Sequence, residues 1–484
     1  MKKLLCTLLS LLLCVAMCSC SLITFGGDTQ EAEQSTEPTD TSTPEPEEEY
    51  PSIVGRLDSA RAERDAALDN IPDADFDGLM FLLVCGDTYA AFGEIDTEHS
   101  LPREKYERLQ LINDRLNTDV VLVEASYDEI ESGLNSNSDA DMIFAHMLEL
   151  EVFRVGPLAQ AGLLGNIETL PFLDLTRPYY DQEYCREMTT PAGLYSVYGD
   201  ACLDMNKISA VYYNTRLASD IGIEPLENAV REGAWTVDKL TECVRIAEST
   251  SDVGSYVGAV IPETDDFLRR MYIASGMKST ASDGVELTLL DNRTQGDAIT
   301  QKLRSLLPLC SRDMNDESPA EMMFADGGAL FYISNLSGAL DFYNMSDAWG
   351  VLPMPTADGG TDYRSAMHLY TQVVCYPALG VKSTETYQMI ETLFASSYRI
   401  LDAAMRDDFL HRYARSEDNL DMLTIIADGV RFDLLDAYAD AFPKYRLATR
   451  LAFEYSSLDD VLYSVRFDAD RAAAEAELAK LKKQ

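Results

Sequence analysis

Four histidines, ten cysteines and a large excess of carboxylates are the residues of this chain able to do chemistry. His99, His146, His368 and His411 are scattered, with no H-E-x-x-H that would set two imidazoles on one helix face beside a glutamate base for zinc hydrolysis. No G-x-S-x-G elbow presents a serine nucleophile, and neither a P-loop nor a G-x-G-x-x-G turn is present to cradle a phosphate. Beyond residue 20 the cysteines Cys85, Cys185, Cys202, Cys243, Cys310 and Cys375 form no C-x-x-C pair, so zinc ribbons and thioredoxin-like redox centres lack their ligands. Three disulfides are arithmetically possible, but the apolar runs around Cys85 and Cys375 favour free, buried thiols. Glycoside hydrolysis needs only two carboxylates roughly 5–10 Å apart and leaves no fixed spacing in sequence. A pair such as Asp200 and Asp204 is one of many among 82 acidic residues, so no catalytic residue, metal ligand or cofactor is assigned.

The acids outnumber 39 basic residues and give a formal net charge of -43. Nucleic acid and anionic lipid headgroups need clustered Lys and Arg, so both are poor partners for such a surface. Solubility of a surface protein accounts for the excess, and a monomer is expected.

At the amino end, Lys2 and Lys3 precede an apolar run over residues 4–17 that is too short to span a bilayer comfortably, and small Ser19 sits before Cys20. Met17-Cys18-Ser19-Cys20 resembles a lipobox, in which the cysteine thiol is alkylated by diacylglycerol. The expectation is a lipoprotein signal peptide over residues 1–20, lipidation at Cys20, and attachment to the extracytoplasmic face of the cell membrane. Residues 21–52 carry Glu, Thr, Pro and Ser with few large apolar side chains, which predicts a disordered acidic tether. A flexible chain of about 35 residues reaches roughly 30 Å, enough to hold a folded body clear of the membrane.

The body is longer than the roughly 250–300 residues at which single cores stop growing, so two lobes are expected. Leu79–Cys85 is a continuous apolar run, residues 101–117 carry helix-period apolars, residues 119–124 (DVVLVE) read as a second strand, and residues 141–145 as a third. A helix near residues 157–164 follows, with Pro157 suited to its first turn. Strand alternating with helix predicts an α/β fold with a parallel sheet, whose ligands bind beyond the carboxyl ends of the strands. The last hundred residues read as mainly helical.

Asp141-Met142-Ile143-Phe144-Ala145 continuing to Leu158-Ala159-Gln160-Ala161-Gly162-Leu163-Leu164 resembles the strand and "A-Q-x-G-L-L" helix of family 1 extracellular solute-binding proteins, and further segments resemble that family in order. Leu173 to Tyr180 resembles "D-L-x-x-P-W-W" with tyrosines for the tryptophans, and Gly193-Leu194-Tyr195 with Gly199-Asp200 resembles "G-K-L-Y…G-D". Val211 to Leu217, Glu232 to Leu240 around Trp235, Phe324 to Phe331 and Trp349 to Pro355 are similar to "F-F-N-K-x-L", "G-K-W-T-x-D-x-L", "F-x-x-G-K-A-L-F" and "x-G-x-L-P-x-P".

The resemblance implies a two-lobed periplasmic-binding-protein-like fold (type II), with the ligand in a cleft between lobes joined by hinge strands. Residues 76–207 and 340–400 would form lobe I; residues 208–339 and 401–484 would form lobe II. Hinges would lie near residues 205–212 and 332–340. It further implies a non-enzymatic receptor that delivers a solute, an oligosaccharide, to an ABC transporter permease. The alternatives are a surface carbohydrate-active enzyme and a sensory lipoprotein that hands its closed form to a receptor kinase. By family analogy the ligand would meet Asp87, Thr88, His146, Met147, Asp200, Tyr212, Asn214, Ser334 and Asn335. Each polar position has a bland alternative: Asp87 as a turn cap, His146 as a satisfied structural histidine, Tyr212 as core. Trp235 is assigned to packing. Only Trp235 and Trp349 are present where carbohydrate binders often display several tryptophans, which leaves stacking to tyrosine.

Overall fold

The computed structural model describes residues 53–86, 91, 99–136, 143–251, 255–282, 286–313, 319–342, 344–379, 383–412, 417–438, 469, 471–476 and 478–479. The expected leader with Cys20 and the tether lie outside the described residues, as do Asp87 and Thr88. No helix among the described residues is long and apolar enough to cross a membrane.

Helix α1 (Ile53–Asp69) leads into β1 (Leu79–Cys85), α2 (Ser100–Leu116), β2 (Thr118–Glu124), α3 (Tyr127–Ser136), β3 (Met147–Glu151), α4 (Val152–Gln160) and α5 (Gln182–Met188). The chain then crosses into β4 (Ser209–Asn214), α6 (Val237–Thr250), β5 (Val257–Ile261), α7 (Thr264–Ala274), β6 (Ser311–Arg312), β7 (Ala329–Asn335) and β8 (Trp349–Leu352). It returns through β9 (Ser365–Ala366) to β10 (Gln372–Cys375) and continues into α8 (Ser383–Ser397), α9 (Ile400–Arg412), α10 (Glu417–Asp428), β11 (Val430–Arg431) and α11 (Leu434–Ala437).

Two sheets organise these elements. The first has the order β10-β3-β1-β2, with β1 parallel to both β2 and β3 and β10 antiparallel to β3. The second has the order β8-β4-β7-β5-β6, with β5 parallel to β6 and β7, and β4 antiparallel to β7 and β8. The central strands β4 and β7 are buried almost throughout, and β1 is buried over residues 83–85 while Met80 at its start is exposed, consistent with near-continuous apolar runs. The fold is mixed α/β: the expectation of a parallel sheet holds in the first sheet except for the returning strand β10, and the second sheet is mixed, with β4 and β8 antiparallel to their neighbours.

Four boundaries differ from the sequence reading. The third strand runs over Met147–Glu151, and residues 143–145 of the expected segment are not strand, with Phe144 packed on Gly133 of α3, where any Cβ would collide with its ring; residues 141 and 142 lie outside the described residues. Helix α4 therefore starts at Val152, whose amide is taken by Thr371 O (2.8 Å), and Pro157 sits inside the helix rather than at its start. The change of lobe expected at residue 340 comes later, since Trp349–Leu352 pairs antiparallel with β4 in the second sheet. Residues 401–412, expected in lobe II, pack instead on α2: Asp408 accepts from the Ser100 and Leu101 amides (2.8 and 2.9 Å) and caps that helix.

All six described cysteines are free, and all but Cys310 are buried. Burial pushes the Cys185 thiol up to about 12 and the Cys243 thiol up to about 11, so both stay protonated and unreactive at neutral pH. Trp235 is fully buried and donates from Nε1 to Pro353 O (2.8 Å), which makes it the packing residue the sequence implied.

Candidate ligand cleft

Parallel strands end in loops that open onto helix amino ends, and a crevice forms where the carboxyl edges of two such sheets face one another. On the first sheet that edge carries Tyr127 after β2, Phe153 and Arg154 after β3, and Tyr370 just ahead of the antiparallel β10. On the second it carries Glu263 and Asp266 after β5, and Ser334 and Asn335 at the end of β7. Between them run the crossing segments. Leu336 N donates to Ile208 O (2.8 Å), and His368 N donates to Lys207 O (2.8 Å).

An unbroken chain of side chains links the two edges. The Arg154 guanidinium lies over the Tyr127 ring (4.3 Å) and the Phe153 ring (4.4 Å). Phe153 meets Tyr370 edge-on with centroids 5.2 Å apart, and Tyr370 stacks on His368 at 5.1 Å and 18°. The ligating atoms of His368, Glu263 and Asp266 all lie within 4.8 Å of one another. Tyr370 is 51% exposed, so one face of a large aromatic ring stays open to solvent at the crossing.

The charges of this chain are set locally. Asp266 accepts from Arg269 Nε (2.9 Å) and pairs with Arg270, and these two guanidiniums hold its carboxyl well below the usual carboxylate range despite burial. Arg269 also donates to Met367 O (2.6 Å) and reaches Asp436 (3.2 Å). Burial, helped by Arg269, Arg270 and Lys207 and opposed by Asp266, lowers His368 to about 4. It is neutral at pH 7, with Nδ1 accepting from Tyr370 N (3.2 Å) and the proton assigned to Nε2. Glu263, Asp266 and His368 are the grouping with metal-ligand geometry among the described residues, but a cation there would compete with two guanidiniums for Asp266. As they stand, these groups are hydrogen-bond partners. Asp266, ionised and clamped, has no proton to give as a general acid.

The residues expected to touch ligand divide sharply. His146 is buried ahead of β3, stacked on Phe81 (4.9 Å), with Nδ1 accepting from Leu82 N (2.8 Å); it is a structural histidine, and Met147 beside it is core. Tyr212 is fully buried, donates to Leu336 O (2.7 Å), and packs against Tyr332, Phe342 and Trp349. Asn214 is fully buried too: it caps the following helix by accepting from Leu217 N (2.9 Å) and donates to Asp347 (2.8 Å). Asp200 accepts from Arg399 N (2.6 Å) at the α8–α9 junction, where burial, reinforced by Asp402, raises it to about 7. Ser334 and Asn335 alone of the described set stand at the crevice edge, partly exposed, with Asn335 Oδ1 lacking a partner among the described residues. Tyr127, Phe153, Arg154, Glu263, Asp266, His368 and Tyr370 were not anticipated.

A cavity of about 250 Å³ lies elsewhere, between α1 and α9, with Arg56, Glu63, Arg399, Asp402, Arg406 and Asp407 among its lining residues. Its charges largely answer one another, Arg406 with Asp402 (2.9 Å) and Arg399 with Glu63 (3.8 Å), and it is not part of the crevice.

No protein-family model matches this sequence, and no curated protein matches it. Solved structures match its fold. The galacto-N-biose-/lacto-N-biose I-binding protein of an ABC transporter from Bifidobacterium longum, in complex with lacto-N-biose, has a TM-score of 0.55 at 10% identity, covering 84% of this chain and 98% of that one. A family 1 extracellular solute-binding protein from Bifidobacterium longum subsp. infantis gives 0.54 at 11% identity, with coverage of 82% and 99%. The GacH receptor of Streptomyces glaucescens, solved unliganded and with acarbose, gives 0.51 at 14% identity, with coverage of 84% and 99%. The chain therefore has the two-lobed periplasmic-binding-protein fold.

Proposed function

We propose that this protein is a lipid-anchored extracytoplasmic receptor that binds an oligosaccharide between its lobes and presents it, closed by a hinge motion, to the permease of an ABC importer. The observation that carries the reading is the half-exposed Tyr370 ring, flanked by Phe153 on one lobe and by His368 with Glu263 and Asp266 on the other. A sugar offers apolar ring faces to an aromatic and hydroxyls to carboxylates and imidazole, and this array supplies both. Contacts from both lobes favour the closed state, because a ligand shifts an equilibrium only by its differential affinity for the two forms. The fold neighbours named above include receptors solved with lacto-N-biose and with acarbose, which supports a carbohydrate over other polar solutes.

The test is thermal unfolding of the purified full-length protein against mono- and oligosaccharides, peptides and polyamines. A ligand at about 100 times its dissociation constant adds about 2.7 kcal/mol of stability. An oligosaccharide should raise the transition temperature, and Tyr370→Ala should abolish the shift without lowering the ligand-free transition. Stabilisation by peptides or polyamines alone would refute the sugar, and turnover of the bound sugar would refute the receptor role. Replacing Cys20 by Ala should release the protein from the membrane fraction.

A further inference from the structure

Arg154 is not explained by the fold. Other arginines of this acid-rich chain are paired: Arg61 with Glu104, Arg216 with Asp347, Arg231 with Asp418 and Asp421, Arg406 with Asp402. Arg154 has neither an ion pair nor a hydrogen bond among the described residues, and its Nε is buried without a partner. It is held by ring faces instead, Tyr127 at 4.3 Å and Phe153 at 4.4 Å. Rings packed on the guanidinium restrict its position, and its terminal N–H groups, unpaired among the described residues, form the fork of donors that a carboxylate accepts from bidentately.

The surroundings point the same way. Phe153, adjacent to Arg154 in sequence, touches the exposed Tyr370 ring (5.2 Å), so a guanidinium unpaired among the described residues stands one residue from the surface assigned to sugar. On the opposite wall, Asp266 is already claimed by Arg269 and Arg270. In a chain of net charge -43, Arg269, Arg270 and Lys207 surround His368 and its acids, and Arg154 stands on the far side of Phe153 and Tyr370 from them.

We propose that the cleft selects an acidic oligosaccharide, one carrying a uronic acid whose carboxylate is taken by the Arg154 guanidinium while a neighbouring ring lies on Tyr370. This rests on the carbohydrate reading above, and the experiment separates the two. Calorimetry on the full-length protein would compare matched pairs: trigalacturonic acid with its neutral methyl ester, and a glucuronic-acid-bearing xylo-oligosaccharide with the unsubstituted xylo-oligosaccharide of the same length. Neutral malto-oligosaccharides and triglutamate serve as sugar-only and charge-only probes.

The acidic member of a pair should bind about 10- to 100-fold more tightly than the neutral one, the range expected for hydrogen bonds to a charged group. Arg154→Met should erase that preference, read as the ratio of acidic to neutral affinity, and Arg154→Lys should restore only part of it. Unfolding of each variant alone checks that the fold is intact. Neutral sugars bound as tightly as acidic ones, or a preference that survives Arg154→Met, would overturn the acidic ligand and leave the sugar receptor standing. Triglutamate bound as well as the acidic sugars would also overturn it, and binding of no saccharide of either charge would overturn both readings.

Discussion

Replacing Tyr212 by Phe removes one oxygen and leaves the ring, and it separates a structural tyrosine from a ligand-stacking one. The hydroxyl sits where the second sheet meets the crossing: it donates to Leu336 O at 2.7 Å and accepts from Ala339 N at 3.2 Å, with the side chain fully buried. Phe keeps the edge contacts with Phe342 and Trp349 but strips a carbonyl and an amide of a partner that water is poorly placed to replace. A buried backbone group left unsatisfied costs about 1–3 kcal/mol, so the variant should lose stability in that range, whereas Tyr212→Ala, which also empties the ring site, should lose about 3–5 kcal/mol. Urea unfolding reads this as a lower midpoint at unchanged slope. Oligosaccharide affinity should stay within about twofold, because the ring does not reach the cleft. A Phe variant of wild-type stability with altered affinity would refute the placement of Tyr212 in the core.

His368 is lowered from an ordinary 6.5 to about 4, so the fold favours its neutral form and the stability this supplies, present above pH 6.5, is lost as pH falls toward 4. Unfolding measured across that interval should show a steeper acid loss in wild type than in His368→Gln, with Glu263, Asp266, Arg269, Arg270 and Lys207 facing the ring in both; equal slopes would refute it. Asp200 is the opposite case, raised from 3.8 to about 7, so its contribution is full below pH 4 and lost as pH rises through 7. Asp200→Asn, which can still accept from Arg399 N, should therefore stabilise the protein at pH 8 and change little at pH 4. Asp436→Asn removes the partner of Arg269 on α11, and with Arg269 keeping Asp266 and Met367 O the cost should be about 1–3 kcal/mol by urea unfolding, less than for a fully stranded charge.

The sheets were legible because burial on both faces writes itself as a run of apolar residues. Residues 81–85 of Leu79–Cys85 follow from that, while the edge strand over residues 118–124, with only Val120 buried, was legible from its β-branched run instead. The strand Met147–Glu151 was hidden because two of its five residues are acids, and Glu149 is nonetheless buried, its charge facing Arg108, itself fully buried. Long-range pairing also moved the second lobe boundary. Nothing local in Trp349–Leu352 tells that its partner is Val211–Asn214 rather than a neighbour in the first sheet. Helix α4 was displaced for a similar reason: its seat is fixed by Gly156, where a Cβ would strike the Ala437 carbonyl of α11, a contact made by residues far apart in sequence.

The cleft was less legible, and the reason lies in what a crossing between lobes demands of its own residues. Polar side chains near the ends of β4 and β7 were expected to face ligand, yet a chain that leaves one sheet for another exposes backbone groups that must be satisfied within the protein. Tyr212 and Asn214 are consumed by that need, one tying residues 336 and 339, the other capping a helix. The groups left over for a ligand come from first helical turns and from the returning segment, where strand-end geometry and not polarity selects them. Their signal was present in Glu151-Val152-Phe153-Arg154, an arginine directly after an aromatic at the end of a buried strand, and in His368-Leu369-Tyr370 ahead of the returning strand. Tyr370, two residues ahead of the returning strand, sits at the carboxyl edge of the sheet because β10 runs antiparallel, and a ring left 51% exposed there is a surface for something to cover.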